Sequence, residues 1–215
     1  MGNKHVFWQA FVIASVIFWM GILIGIYFEK SRVENLDKFY SDSETNILDF
    51  GLASKIVYNS NLSCDIINQK SVFFADQIYL QARELEKYDE SNKITAELIS
   101  LHRKYDFLRT MLWRDIIENK ERCKGGNIIV YLYQYDKPSL TTRAVQQTMS
   151  NSLIDLKKKY GEKIILVPFA ADTNVESLNI MRTLYGLDKY PVIFVNEKHK
   201  FETIESLETI EKYLN

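Results

Sequence analysis

The stretch Asn127-Ile-Ile-Val-Tyr-Leu-Tyr-Gln134 is a continuous run of β-branched and aromatic residues. A short run that is apolar on both faces is typical of a central strand with helices on each side of the sheet. Ile164 to Phe169 and Pro191 to Val195 are two further runs of this kind. The polar turn Asn196 to His199 then leads into Lys200 to Thr203, which predicts a closing hairpin of two strands.

Helical patterns lie between these strands. Ser139 is placed to cap a helix that ends at Gly161 and whose apolar residues recur at helical spacing. These residues are Val145, Met149, Leu153, Leu156 and Tyr160. Asp172 to Asn174 offer caps for a second helix, which Gly186 closes, and the pattern from Leu207 to Leu214 predicts a third. The order βαβαββα predicts an α/β domain with parallel pairing followed by a hairpin.

The segment Leu184 to Asn196, which contains Tyr190-Pro191, resembles the stretch around the cis-proline of thioredoxin-like domains. With the order of elements, the resemblance implies a thioredoxin-like fold for residues 127–215 and a cis bond before Pro191. The alternative is a trans proline that simply opens a strand. In this family a Cys-x-x-Cys motif follows the first strand, where a helix N-terminus lowers the pKa of a thiol. The corresponding span Lys137 to Leu140 contains no cysteine, so we expect no dithiol chemistry there.

Thioredoxin-like domains hold extended peptides beside the cis-proline. The resemblance therefore implies a peptide groove in this chain, formed by two short segments. Its candidate residues are Asp136, Lys137, Pro138, Ser139, Tyr190 and Pro191. No catalytic residue is assigned, because Ser139 has no base nearby in the sequence and is interpreted as a helix cap.

Val6 to Phe28 is a run without charged residues near the N-terminus. At about 1.5 Å per residue it is long enough to cross a hydrocarbon core of ~30 Å. No small-residue cleavage site follows it, so residues 1–28 are predicted to be a retained single-pass anchor in the lipid bilayer. Gly21 and Gly25 form a GxxxG motif, which favours close pairing with a second membrane helix, including a homodimer. The alternative is that glycine is simply common in such helices.

Residues 29–124 carry a nearly continuous helical pattern and are predicted to be a stalk. Ser43 is placed to start a short helix, Asn59 to Ser63 breaks it, and Ser71 starts the next one. Asp89 to Asn92 is predicted to be the turn of an antiparallel helical hairpin. The seam of its last helix has the spacing of a coiled coil and consists of Ile94, Leu98, Leu101, Tyr105, Leu108 and Leu112.

The hairpin brings the two cysteines, Cys64 and Cys123, to the same end. We therefore predict a disulfide that closes a loop of about 60 residues. The alternatives are two unpaired thiols in a reducing compartment and a redox-active pair. Asn61 begins an N-x-S sequon in the polar break and is a candidate for glycosylation.

The location of the folded part is contested by two kinds of feature. Lys30, Arg32 and Lys38 follow the anchor, and the positive-inside rule then favours a cytoplasmic C-terminal part. The cysteine pair and the sequon favour the exterior of the cell. We predict a cell-membrane protein whose folded part is extracytoplasmic.

Composition argues against several classes of function. The net charge is −1, so no basic surface for nucleic acid is expected. His5, His102 and His199 lie far apart in the sequence, so neither a metal site nor a cofactor is predicted. His102 is interpreted as a helix-surface or partly buried residue beside the seam. Gly125-Gly126 separates helical from strand patterns and is interpreted as a domain joint.

Three hypotheses of function follow. The leading one is a membrane-anchored interaction or scaffold protein that presents a redox-inactive thioredoxin-like domain to a protein partner. The second is a membrane-bound thiol–disulfide oxidoreductase or chaperone that uses Cys64 and Cys123. The third is a helical assembly element of a membrane complex, in which the stalk and the Gly21/Gly25 motif are the functional parts.

Overall fold

A computed structural model of the chain describes residues 3–60, 62–89, 96–123 and 126–214. It contains two compact units, Met1–Asn46 and Ile47–Asn215. Whether the anchor, stalk and C-terminal domain have the boundaries expected from the sequence stays a prediction.

The first helix, α1 (Asn3–Asn59), is continuous. Its segment Val6–Phe28 has 23 residues with a mean hydropathy of 2.4, and none of that segment is buried, so by length and composition it is able to cross a bilayer. The prediction of a separate helix that starts at Ser43 is wrong. The sequence between Glu29 and Ser43 contains neither proline nor glycine, so nothing interrupts the helical hydrogen bonds there.

Two further helices follow, α2 (Cys64–Asp89) and α3 (Ala96–Arg122), and they pack against each other. Ser71 does not start α2. It lies buried within the helix, and its Oγ donates a hydrogen bond to the carbonyl oxygen of Ile67 at 2.9 Å. Apart from Asp89, which ends α2, the predicted turn lies outside the described residues.

The described part of the predicted seam is buried. It consists of Leu101, Tyr105, Leu108 and Leu112. Ile94 and the side chain of Leu98 lie outside the described residues. The end of α1 also contacts α3, because a Cβ added to Gly51 would lie 3.2 Å from Cε of Met111. A small residue thus permits the close approach of these two helices.

The sulfur atoms of the predicted cysteine pair, Cys64 and Cys123, lie 2.07 Å apart and form a disulfide. Cys64 is the first residue of α2, and Cys123 directly follows α3. The bond joins residues 59 positions apart. By the chain-entropy argument, closing a loop of this length stabilises the fold by about 4 kcal/mol.

The last part of the chain forms a mixed four-stranded α/β layer. Its elements in chain order are β1 (Asn127–Tyr133), α4 (Leu140–Tyr160), β2 (Ile164–Ala170), α5 (Glu176–Tyr185), β3 (Val192–Val195), β4 (His199–Phe201) and α6 (Leu207–Glu211). The strands lie in the order β2-β1-β3-β4. β1 is parallel to β2 and antiparallel to β3, and β4 is antiparallel to β3. The strands and helices expected from the sequence are thus present, with bounds that differ by one or two residues for the strands.

Helices cover both faces of this sheet. On one face, residues of α4 and α6 form a core with alternate residues of the strands. This core contains Ile129, Tyr131, Met149, Leu153, Leu156, Ile193, Val195 and Ile210. On the other face, Trp113 of α3 is fully buried, with its ring 5.8 Å from that of Phe169 and 6.4 Å from that of Phe194. The helical hairpin therefore packs directly on the sheet.

Asp106 of α3 joins the hairpin to the open edge of β2. The amide of Ala171 donates to the carbonyl of Tyr133 in β1, so the amide of Ala170 points away from β1. That Ala170 amide donates to Oδ1 of Asp106 at 3.3 Å, and the Thr173 hydroxyl donates to Oδ2 at 2.8 Å. Nη1 of Arg109 donates to Oδ1 of Asp106 at 3.3 Å. The carboxyl group thus has partners on both sides of the interface.

Burial raises the pKa of Asp106 to about 6, while the Arg109 guanidinium and the hydrogen bonds from Thr173 and Ala170 oppose this rise. The usual pKa of an aspartate is about 4. The folded state therefore holds this proton more tightly than the unfolded chain does. Stability from this group is fully present below about pH 4 and is lost as the pH rises through about 6.

We predict that the free energy of unfolding falls by roughly 3 kcal/mol between pH 4 and pH 7 because of Asp106 alone, since one pKa unit corresponds to about 1.4 kcal/mol. Asp106→Asn is neutral at every pH and should lack this slope. The measurement is urea unfolding of the full-length protein in a non-ionic detergent at a series of pH values. Asp155→Asn, which removes an exposed aspartate paired with Lys158, is the matched control and should keep the slope. Equal slopes in wild type and Asp106→Asn would contradict the prediction.

Candidate functional site

Two loops leave the sheet at the same end. Leu132, near the end of β1, pairs with Val192, the first residue of the antiparallel strand β3. The loop 134–139 that follows β1 and the loop 187–191 that precedes β3 therefore lie at one end of the sheet. These two loops contain all six predicted groove residues, and we call them the groove loops. The Tyr190–Pro191 peptide bond is cis, as predicted.

The first groove loop is held by side chains on neighbouring elements. The amide of Tyr135 donates to Oδ1 of Asp172 at 2.9 Å, and the amide of Asp136 donates to Oδ2 at 2.8 Å. Gln134 and Gln146 exchange two hydrogen bonds, each 3.0 Å long, between backbone and side-chain amide. The loop is thus fixed in shape although the side chains of Asp136 and Lys137 are exposed.

The residues predicted to cap α5 have other partners. Its N-cap is Val175, which makes no side-chain capping bond. Asp172 binds the first groove loop, Thr173 binds Asp106, and the carbonyl of Asn174 accepts from Nη2 of Arg103 at 3.3 Å. The prediction of caps at 172–174 is therefore wrong, because long-range partners bind the side chains of Asp172 and Thr173.

Ser139 caps α4, as predicted. Its Oγ accepts a hydrogen bond from the amide of Thr142 at 3.1 Å and lies 2.8 Å from the Thr142 hydroxyl oxygen. Lys137, two residues earlier, has a φ of 45°, in the left-handed region that L-residues rarely adopt. Pro138 between them is half-buried. The hydroxyl of Ser139 is thus used in the helix start, consistent with its interpretation as a cap.

Arg182 of α5 holds the second groove loop. Its Nε donates to the carbonyl of Leu187 at 3.1 Å, and its Nη1 donates to the carbonyl of Ala171 at 2.9 Å. Its guanidinium carbon lies 5.2 Å from the centre of the Tyr190 ring, within range of a cation–π interaction. Tyr190 and Pro191 are half-buried. Within the described residues, neither the backbone N–H nor the backbone C=O of Tyr190 has a hydrogen-bond partner.

His102 of α3 is only 4% exposed, so its interpretation as a surface or partly buried residue is wrong. Its ring centre lies 4.0 Å from that of Tyr135 in the first groove loop. The two rings are tilted by 40° to each other, and this contact helps to remove the imidazole from solvent. The N-terminal half of α3 therefore makes two contacts. His102 contacts the first groove loop, and Asp106 contacts the end of β2 and the turn that follows it.

The other candidate residues lie elsewhere. The disulfide is next to the start of β1, and the groove loops are at its end, so the seven residues of β1, roughly 20 Å, separate them. Gly21 and Gly25 are on α1, where an added Cβ would meet nothing within 4 Å. Asn61 lies outside the described residues. In the part of the chain that the structure describes, no group of three or more His, Cys, Asp or Glu side chains could hold a metal ion.

The sequence patterns did not indicate Asp106 or Arg182, and they indicated Asp172 only as a helix cap, although all three residues shape this end of the sheet. A signal existed only for Asp106, because it stands beside the predicted seam residue Tyr105 and three residues before Arg109. That spacing is typical of an ion pair on a helix, and a charged pair beside a buried seam favours a partner on another element.

Comparisons of this chain with protein-family models, with curated proteins and with solved structures found no match.

Proposed function

We propose that this protein is a single-pass membrane protein that presents a redox-inactive, thioredoxin-like domain and binds an extended segment of a partner protein in the groove loops. The order βαβαββα supports the fold, as do the parallel β1–β2 pair, the closing β3–β4 hairpin and the cis bond before Pro191. These are the features that the resemblance implies.

The observation that carries the proposal is the unused backbone of Tyr190. Its N–H and C=O have no partner among the described residues, and it stands two residues before β3. An extended peptide is able to pair with such a segment as an added strand, with affinity from main-chain hydrogen bonds. Because Arg182 binds the carbonyl of Leu187 in the same loop, little ordering entropy opposes this pairing.

The side chains around Tyr190 suit a peptide of mixed character. Pro138, Tyr190 and Pro191 offer half-buried apolar surface, and Asp136 and Lys137 offer exposed charges of opposite sign. Apolar contacts next to paired main chain favour alternate apolar side chains in the partner, because the side chains of an extended segment alternate between its two faces. The groove loops therefore fit an extended protein segment better than a compact small molecule.

The position of the cysteines favours this function over the oxidoreductase alternative. Cys64 and Cys123 form a disulfide near the start of β1, whereas the groove loops lie at its C-terminal end. Cys123 is 1% exposed. Disulfide exchange requires a thiolate to reach a sulfur atom, and the burial of Cys123 impedes attack on its sulfur, whereas Cys64 is half-buried. The bond closes the base of the helical hairpin, where a structural role accounts for it.

The folded part is proposed to lie outside the cytoplasm, anchored by Val6–Phe28. Disulfides persist mainly in oxidising compartments, so the Cys64–Cys123 bond supports this placement. The basic residues that follow the anchor, Lys30, Arg32 and Lys38, favour a cytoplasmic folded part by the positive-inside rule. We give the disulfide more weight because it depends on an arrangement of two helices rather than on the charge of three residues.

The groove proposal is tested by the double variant Tyr190→Ala, Lys137→Ala. Lys137 is exposed and Tyr190 is half-buried, and Arg182 keeps its two backbone carbonyl partners when the Tyr190 ring is removed, so the fold should persist while apolar and charged contacts to the partner are lost. We expect recovery of partner proteins from native membranes to fall at least tenfold, which corresponds to about 1.4 kcal/mol. Tyr213→Ala, Lys212→Ala removes the same residue types from the exposed end of the chain and should leave recovery unchanged. An unchanged set of partners in the groove variant would refute the proposal.

The placement outside the cytoplasm is tested by thiol labelling of intact cells with a membrane-impermeant maleimide. We expect neither cysteine to react before reduction and both to react after reduction and mild denaturation of the exposed proteins, because the disulfide is then opened. Labelling of both cysteines only after lysis, without any reductant, would place the folded part in the cytoplasm. A Cys64→Ser, Cys123→Ser variant gives the background signal.

A further inference from the structure

A pocket of about 200 Å³ lies between α2, α3, α4 and the β1–β2 edge of the sheet. It shares no residue with the groove loops. Since one water molecule takes about 30 Å³ of the liquid, the pocket has room for a small molecule. Its position among five elements of one compact unit means that its walls are formed by the fold rather than by a loop.

The polar side of this pocket is cationic. It contains Arg109 of α3 and Arg143 of α4, and none of its described lining residues is acidic. The charge of Arg109 is partly balanced by Asp106, whose Oδ1 lies 3.3 Å from its Nη1. Arg143 is exposed and makes no ion pair with any described residue. The pocket therefore favours an anion, and guanidinium groups favour carboxylate and phosphate oxygens.

Arg109 has an unused donor in this buried position. The residue is 4% exposed, its Nη1 donates to Asp106, and its Nε has no hydrogen-bond partner. Buried donors without partners are rare in folded proteins. The unsatisfied Nε leaves the positive charge of Arg109 incompletely compensated beside the pocket.

The remaining walls combine hydroxyl groups with apolar surface. Tyr79, Tyr131 and Ser150 carry hydroxyls, and Leu153, Ile154 and Leu166 form an apolar side. A second pocket of about 330 Å³ shares Tyr79, Ile154 and Leu166 with the first, so the apolar surface continues beyond it. This combination suits a ligand that has a charged head and an apolar part.

We propose that this pocket binds a small organic carboxylate, with its carboxylate between Arg109 and Arg143 and its apolar part against Leu153, Ile154 and Leu166. A bare phosphate would leave the apolar wall unused, and an alcohol would leave the guanidinium groups without an anion. The site is separate from the groove loops, so it does not depend on the function proposed for them.

The experiment is isothermal titration of the full-length protein in a non-ionic detergent with hexanoate, 1-hexanol and inorganic phosphate. We expect hexanoate to bind and the other two to bind at least tenfold more weakly. Arg143→Gln should weaken hexanoate binding at least tenfold. This residue is exposed, so the variant should fold normally. Arg114→Gln, an exposed arginine outside the pocket, should bind hexanoate as the wild type does and corrects for uptake by the detergent.

Four results would overturn the proposal. Absence of hexanoate binding excludes the site at the concentrations tested. Equal binding of 1-hexanol shows that the guanidinium groups take no part. Preferential binding of phosphate shows an anion site without an apolar requirement. Equal loss of hexanoate binding in Arg143→Gln and Arg114→Gln shows uptake that depends on protein charge rather than on the pocket.

Discussion

The carboxyl group of Asp106 is the interaction on which the arrangement of this fold depends. It comes from α3, yet two of its hydrogen-bond donors belong to the end of β2 and to the turn that follows it. Asp172 directly precedes Thr173 in the chain. Its carboxylate accepts hydrogen bonds from the backbone amides of Tyr135 and Asp136. A short series of contacts therefore connects the helical hairpin to the first groove loop.

The apolar and polar parts of this interface have different roles. Burial of Trp113 against Phe169 and Phe194 supplies the main stabilising free energy, because large aromatic side chains dominate the energetics of packed interfaces. The buried pair of Asp106 and Arg109 costs desolvation that its attraction only partly offsets. Its role is therefore to fix how α3 lies on β2 rather than to add stability.

Local sequence patterns predicted the elements well where short-range physics decides them. Runs of apolar residues gave the strands, Ser139 gave the start of α4, and the helical hairpin led to the Cys64–Cys123 pair. These local patterns failed where a partner distant in the sequence determines the role of a side chain. Asp172 and Thr173 look like caps because local propensity cannot register their distant partners. The amides after β1 lie 36 to 37 positions from Asp172, and Asp106 lies 67 positions from Thr173.

The failure at Ser43 has a different cause. A residue that is able to cap a helix is a start signal only where the preceding helix has ended, and α1 continues through this position. Asp172 and Arg182, two supports of the groove loops, could not be predicted either, because their hydrogen-bond partners are backbone groups. Backbone amides and carbonyls carry no signature in the sequence.

The measurement that tests this account most directly is amide hydrogen exchange of the full-length protein, wild type against Thr173→Val. Valine keeps the shape of threonine but removes the hydroxyl that binds Asp106. The account predicts that the amides of Tyr135 and Asp136 exchange at least tenfold faster in the variant while that of Val130 in the core of β1 does not change. Unchanged exchange at the two loop amides, or an equal acceleration at Val130, would contradict the claim that Asp106 holds the first groove loop in place.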